Sequence, residues 1–149
     1  MLFRSARLGQ RQEPELPLPV RVQGFANRVA FSPDGLRLAT GGEGNTVKIW
    51  DAKAATAEEL ATLRAHTGDV FAVAFSPDGR WLATTGEDTT VRLWDAKSWE
   101  LRRTLRGHTG IAATLAFSPD SRRLASGSRD RTLKVWAATL WDDKPQRGR

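Results

Sequence analysis

A chain of 149 residues, 40% hydrophobic and 27% charged, is sized for a domain with its own core. It contains no cysteine, which excludes disulfides, thiolate metal sites and cysteine nucleophiles. Its formal charge of +6 makes acidic partners worth weighing, and no apolar run approaches the length of a membrane-spanning helix.

Residues 1–17 carry Arg4, Arg7 and Arg11 without an apolar stretch. They read as a flexible basic segment rather than a secretory signal, and the expected location is cytoplasmic. Leu18 to Val22 is short and apolar enough for an extended strand. From there the chain repeats. Val29-Ala30-Phe31-Ser32-Pro33-Asp34-Gly35 returns as Val73 to Gly79, and again as Leu115 to Ser121. A second marker keeps the same step: Val47 to Trp50, Val91 to Trp94 and Leu133 to Trp136. Two markers in register at a period of just over forty residues define three repeats, about 18–63, 64–106 and 107–137. Residues 138–149 remain as a polar tail.

The middle repeat shows how each unit is built. Val70 to Phe75 is apolar and β-prone, as suits an inner strand covered on both faces. Ser76-Pro77-Asp78-Gly79 is a turn in which proline presets φ, Asp bonds back to the backbone and Gly supplies a left-handed residue. Trp81 to Thr85 forms the second strand, and Gly86 to Thr89 turns the chain again. Thr90 to Trp94 alternates, placing Val91 and Leu93 opposite Arg92 and Trp94. Glu100 to Leu105 supplies a half-polar fourth strand. No helical stripe interrupts the pattern.

This arrangement resembles the WD-repeat family of β-propellers across residues 18–137. Gly107-His108 matches the Gly-His pair of that family, and Trp50-Asp51 and Trp94-Asp95 match its Trp-Asp pair. The separations His66 to Trp94 and His108 to Trp136 agree within the repeat. The expected fold is therefore all-β, a partial propeller of three four-stranded blades whose last blade lacks its outer strand. Asp142 to Arg147 is too polar, and carries a proline, for that missing strand.

The residues that most invite a catalytic reading are His66, Thr84 and Asp88 with Trp94, and His108, Ser126 and Asp130 with Trp136. Ser126, His108 and Asp130 have the residue types of a hydrolase triad. Ser126 lacks the Gly-x-Ser-x-Gly elbow that exposes a nucleophile, and the same set recurs one repeat earlier with Thr84. The family resemblance implies instead a buried hydrogen-bond chain in each blade, from Asp to His, to Ser or Thr, to the Trp indole. Such a chain is tolerable only if every member is satisfied. The first repeat departs from it: Gly44 stands where Asp88 and Asp130 stand, and Val22 or Phe25 occupies the histidine region, depending on how Gly24 is aligned. In the last repeat Ser121 replaces the turn glycine and Ala137 the Asp of Trp-Asp.

Other motifs yield little. Gly41 to Gly44 lies between two strands, without the helix and Lys-Ser/Thr of a phosphate loop. Neither a cofactor nor a metal nor a small-molecule substrate is indicated. Between Glu100 and Trp136 eight basic residues face three acidic ones; this stretch could hold nucleic acid or an acidic surface, but no aromatic-plus-basic motif accompanies it, so a solvated face is favoured. Trp99, in the turn before the fourth strand, is the tryptophan expected to be most exposed.

The expected function is a non-catalytic protein-interaction scaffold. Its candidate contact positions are Glu43, Asp69, Glu87, Trp99, Ile111 and Arg129. Three repeats fall short of the 4–8 blades that close a ring. The sequence leaves open a non-functional fragment of a longer propeller, copies joined head to tail to complete a ring, or an open arc on another protein.

Overall fold

In the computed structural model, residues 24–53, 58–64, 66–138 and 141 are described. They form eleven strands in three antiparallel sheets. Blade one contains β1 (Ala26–Phe31), β2 (Arg37–Gly42), β3 (Thr46–Asp51) and β4 (Glu59–Arg64). Blade two contains β5 (Val70–Phe75), β6 (Trp81–Gly86), β7 (Val91–Asp95) and β8 (Leu101–Leu105). Blade three contains β9 (Ala112–Phe117), β10 (Arg123–Ser128) and β11 (Leu133–Ala137). Each sheet runs in sequence order, strand beside strand, and no α-helix occurs among the described residues.

Repetition in sequence becomes repetition in register. Phe31 pairs with Leu38, Phe75 with Leu82 and Phe117 with Leu124; Ala39 pairs with Ile49, Ala83 with Leu93 and Ala125 with Val135. Each blade therefore presents the same two faces. We call the one bearing Phe31, Phe75 or Phe117 the front and the one bearing Ala39, Ala83 or Ala125 the rear.

Neither face is covered within its own sheet, so stability comes from stacking blades. At the first joint, Ala39, Val47 and Ile49 on the rear of blade one share a core with Val70, Val73 and Leu82 on the front of blade two. At the second joint, Ala83, Val91 and Leu93 meet Ala112 and Leu124. The first strands of successive blades touch, β1 with β5 and β5 with β9, which places them at the inner side of the arc.

The Ser-Pro-Asp-Gly turns hold their shape as their chemistry requires. Ser76 Oγ donates to Asp78 Oδ1 at 2.6 Å and accepts from the Trp81 amide at 3.0 Å, and Ser32 and Ser118 repeat both bonds. Gly35 and Gly79 take the left-handed conformation, at φ 72° and 75°. Ser121 adopts it too, at φ 59°. Its hydroxyl, buried, accepts from the Asp78 amide of blade two at 3.0 Å. The substitution that looks like decay in sequence is thus a bond across the second joint.

Candidate functional site

Two sets of residues carry the polar chemistry: a buried chain inside blades two and three, and a row of loop positions at one end of the arc.

The buried chain starts at the turn between the second and third strands. In blade two, His66 Nδ1 lies 3.1 Å from both carboxylate oxygens of Asp88, and its Nε2 lies 2.7 Å from Thr84 Oγ1. Trp94 Nε1 donates to the same hydroxyl at 3.0 Å. In blade three, His108 Nδ1 is 2.9 Å from Asp130 Oδ2, Nε2 is 2.8 Å from Ser126 Oγ, and Trp136 Nε1 donates to Ser126 at 2.9 Å. An ionised carboxylate only accepts, so Nδ1 of each histidine carries the proton. Nε2 is then the acceptor for the hydroxyl, which in turn accepts from the indole. Every donor in the chain has one acceptor.

The carboxylates are held by more than histidine. Asp88 also accepts from the Thr67 amide at 3.1 Å and from the amide and hydroxyl of Thr90 at 3.1 and 2.7 Å. Burial pushes the Asp88 carboxyl up, but the bonds from Thr90 and His66 outweigh it and bring the pKa down to about 2. The Thr132 hydroxyl leads in lowering Asp130, joined by His108 and the Thr109 and Thr132 amides, against a burial effect that raises it. Burial lowers the pKa of His66, and Asp88 only partly offsets it. The neutral imidazole is the form this chain accommodates.

Taken alone, Asp130, His108 and Ser126 have the distances of a proton relay. Their setting differs from that of a nucleophile. His108 and Ser126 are buried, at 6% and 2% exposure, and the Trp136 indole occupies the hydroxyl's acceptor side.

Blade one keeps one link only, Trp50 Nε1 to Thr40 Oγ1 at 2.9 Å. Gly24 and Gly68 both pack against the side chain one residue beyond the second strand, Glu43 and Glu87 respectively, which aligns Gly24 with Gly68 and so Val22 with His66. Val22 lies outside the described residues. Phe25, the other candidate for the histidine position, is at the surface, 73% exposed. A cavity of about 330 Å³ borders Gly24, Thr40, Gly42, Gly44, Thr46 and Lys48, the side of the blade where His66 and Asp88 stand in blade two.

The turn itself changes with the chemistry. Gly44 and Asn45 are both left-handed, at φ 93° and 65°, and glycine supplies the first of these at least steric cost. In blades two and three only the second of these positions is left-handed, at Thr89 and Arg131 (φ 69° and 70°), which leaves Asp88 and Asp130 in ordinary backbone.

The second set lies at the end of the arc where these turns project. The Glu43 amide donates to the Phe25 carbonyl at 3.1 Å, Glu87 to Asp69 at 2.9 Å and Arg129 to Ile111 at 2.9 Å. One bond, repeated in each blade, thus brings five of the six expected contact positions into a row. Glu43, Glu87 and Arg129 are exposed, and Asp69 and Ile111 half-buried. The Arg129 guanidinium also reaches back over the Phe71 ring of blade two, 5.4 Å from its centre.

Trp99 is not part of this row, nor is it the exposed residue its turn position suggests. It is half-buried at the first joint, edge-on to Phe75 with ring centres 6.4 Å apart. Its backbone is left-handed (φ 60°) and its amide bonds the Asp95 carbonyl at 2.8 Å, which folds the ring back over the sheet. Trp141, in what the sequence reads as a polar tail, is 1% exposed and packs on Phe117 and Trp81 at the second joint. The interval from Trp99 to Trp141 equals that from Phe75 to Phe117. This third repeating marker is visible in the sequence once the tail is counted with the repeat.

Three stacked antiparallel sheets, registered alike and two of them sealed by the same polar chain, are blades of a β-propeller. The family model for the WD domain, G-beta repeat, matches residues 22–51, 57–95 and 99–137. The chain belongs to the WD-repeat family. A search of curated proteins gave no match.

Proposed function

We propose that this chain is a non-catalytic scaffold that binds other proteins through the loop row at Glu43, Asp69, Glu87, Ile111 and Arg129. WD repeats are in general protein-interaction modules. The observation that carries the finer reading is the amide-to-carbonyl bond repeated beneath each pair of loops. It fixes three side-chain positions on a rigid sheet and leaves their identity free, so blades one and two offer carboxylates where blade three offers a guanidinium. Rigid presentation lowers the ordering cost of association, and a row of mixed sign discriminates between partners.

The buried chains support a structural rather than a hydrolytic role. Both hydroxyls already serve an indole and an imidazole, and both are covered. A nucleophile must be reachable by its substrate, with an oxyanion site beside it.

The test is a pair of charge reversals. Glu87→Lys with Arg129→Glu should abolish partner binding while the melting temperature stays unchanged. Lys97→Glu, at the opposite end of blade two, should leave binding intact. Partners held equally by both variants would overturn the assignment.

A further inference from the structure

We propose that two copies of this chain join head to tail into a six-bladed ring, using the front of blade one and the rear of blade three. This inference is independent of the loop row. It starts from the apolar side chains that the two joints leave uncovered. Val29 and Phe31 on the front of blade one are 63% and 65% exposed, and Leu133 and Val135 on the rear of blade three are 74% and 59% exposed. Their repeat equivalents are better covered: Val73 is 8% exposed, Val47, Ile49, Val91 and Leu93 lie between 0% and 1%, and Phe75, Leu115 and Phe117 are half-buried.

What covers the equivalents identifies what fits the free faces. Twice within the chain, a rear face of alanine and β-branched or Leu residues packs on an apolar front face, of Val, Phe and Leu at the first joint and of Ala, Phe and Leu at the second. The free rear face carries that set at Ala125, Leu133 and Val135, and the free front face carries it at Val29, Phe31 and Leu38, in the same strand register. The two faces are therefore complementary to each other by the geometry that already holds the chain together. A second copy brings both at once.

Such contacts are heterologous, and heterologous contacts close into a ring or run on as a filament. Propellers close at 4–8 blades, and the one multiple of three in that range is six. Two copies then form two identical joints, each like those inside the chain. Closure removes apolar patches of the kind that otherwise drive association.

The experiment is light scattering on the purified full chain, with Phe31→Asp and Val135→Asp as variants. Both side chains are exposed in the single chain, so each variant should keep its near-ultraviolet tryptophan signal, reporting intact blades. The wild type should weigh twice the 16.5 kDa of one chain, and each variant alone should weigh one chain. Mixing the two variants at raised concentration should restore a two-chain species, because the mixed pair retains one undamaged joint. A wild type that is monomeric, aggregated without a discrete mass, or discrete at another mass would overturn the proposal. So would variants that remain dimeric, or a mixture that stays at one chain.

Discussion

Blades one and two fold to the same register, yet they are held differently. Blade two closes its second hairpin with a chain from Asp88 through His66 and Thr84 to Trp94, while blade one has only Trp50 on Thr40. The difference teaches that the strand pattern alone is enough to form a blade. What the chain adds is a polar tie between the loop before the blade, its central strand and its third strand. A tie of this kind is an all-or-none feature, because a half-satisfied network is worse than an apolar core. Blade one shows how the histidine and aspartate are given up together, with a turn that no longer needs either.

The sharpest way to break the comparison is to make the same change in both blades. Thr84→Val removes the partner of two buried groups and should destabilise the protein by about 3 kcal/mol. Thr40→Val removes the partner of one and should cost about 1 kcal/mol. The difference would be read from midpoints of urea unfolding with unchanged slope. Equal losses would mean that the histidine link contributes nothing.

Acid should act on blade two before blade one, since of these two only blade two has the titrating chain. The folded pKa of His66 lies below its ordinary value of 6.5, so the unfolded state binds the proton first and stability falls as pH drops below about 6.5. A second loss follows for Asp88 as pH falls from its ordinary 3.8 through about 2. Asp88→Asn should flatten that lower limb. Unfolding midpoints measured from pH 7 to pH 2 check both steps.

Gly44→Asp tests whether blade one merely lacks a carboxylate. At φ 93° a side chain is strained, so the change should destabilise by about 1 kcal/mol rather than restore a link. The smallest effect is expected at Thr85, where blade one has Gly41. Its hydroxyl is the one buried side-chain polar atom without a partner among the described residues. Thr85→Val keeps the shape and removes that atom, and should raise stability by about 0.5–1 kcal/mol.

The repeat markers made most of this legible beforehand. Phe31, Phe75 and Phe117, with Trp50, Trp94 and Trp136, place the strands and the polar chain because each marker has one position in a four-stranded unit. What stayed hidden was set by contacts between units. Ser121 reads as a lost glycine because its partner, the Asp78 amide, belongs to another blade. Trp99 reads as exposed because its cover is the joint, and Trp141 was lost to a tail defined by the charges around it. The turn of blade one was also out of reach, since the backbone sign at Gly44 is not encoded by glycine alone, which tolerates either sign.

On this reading the buried chains, not the strand pattern, set the relative rigidity of the blades. Amide hydrogen exchange of the full chain measures it directly, by comparing the β2–β3 hairpin with the β6–β7 hairpin under native conditions. If the chain ties its blade, β6–β7 amides should exchange more slowly, by about 100-fold for a difference near 2.7 kcal/mol. Equal exchange in the two hairpins, or slower exchange in blade one, would contradict it.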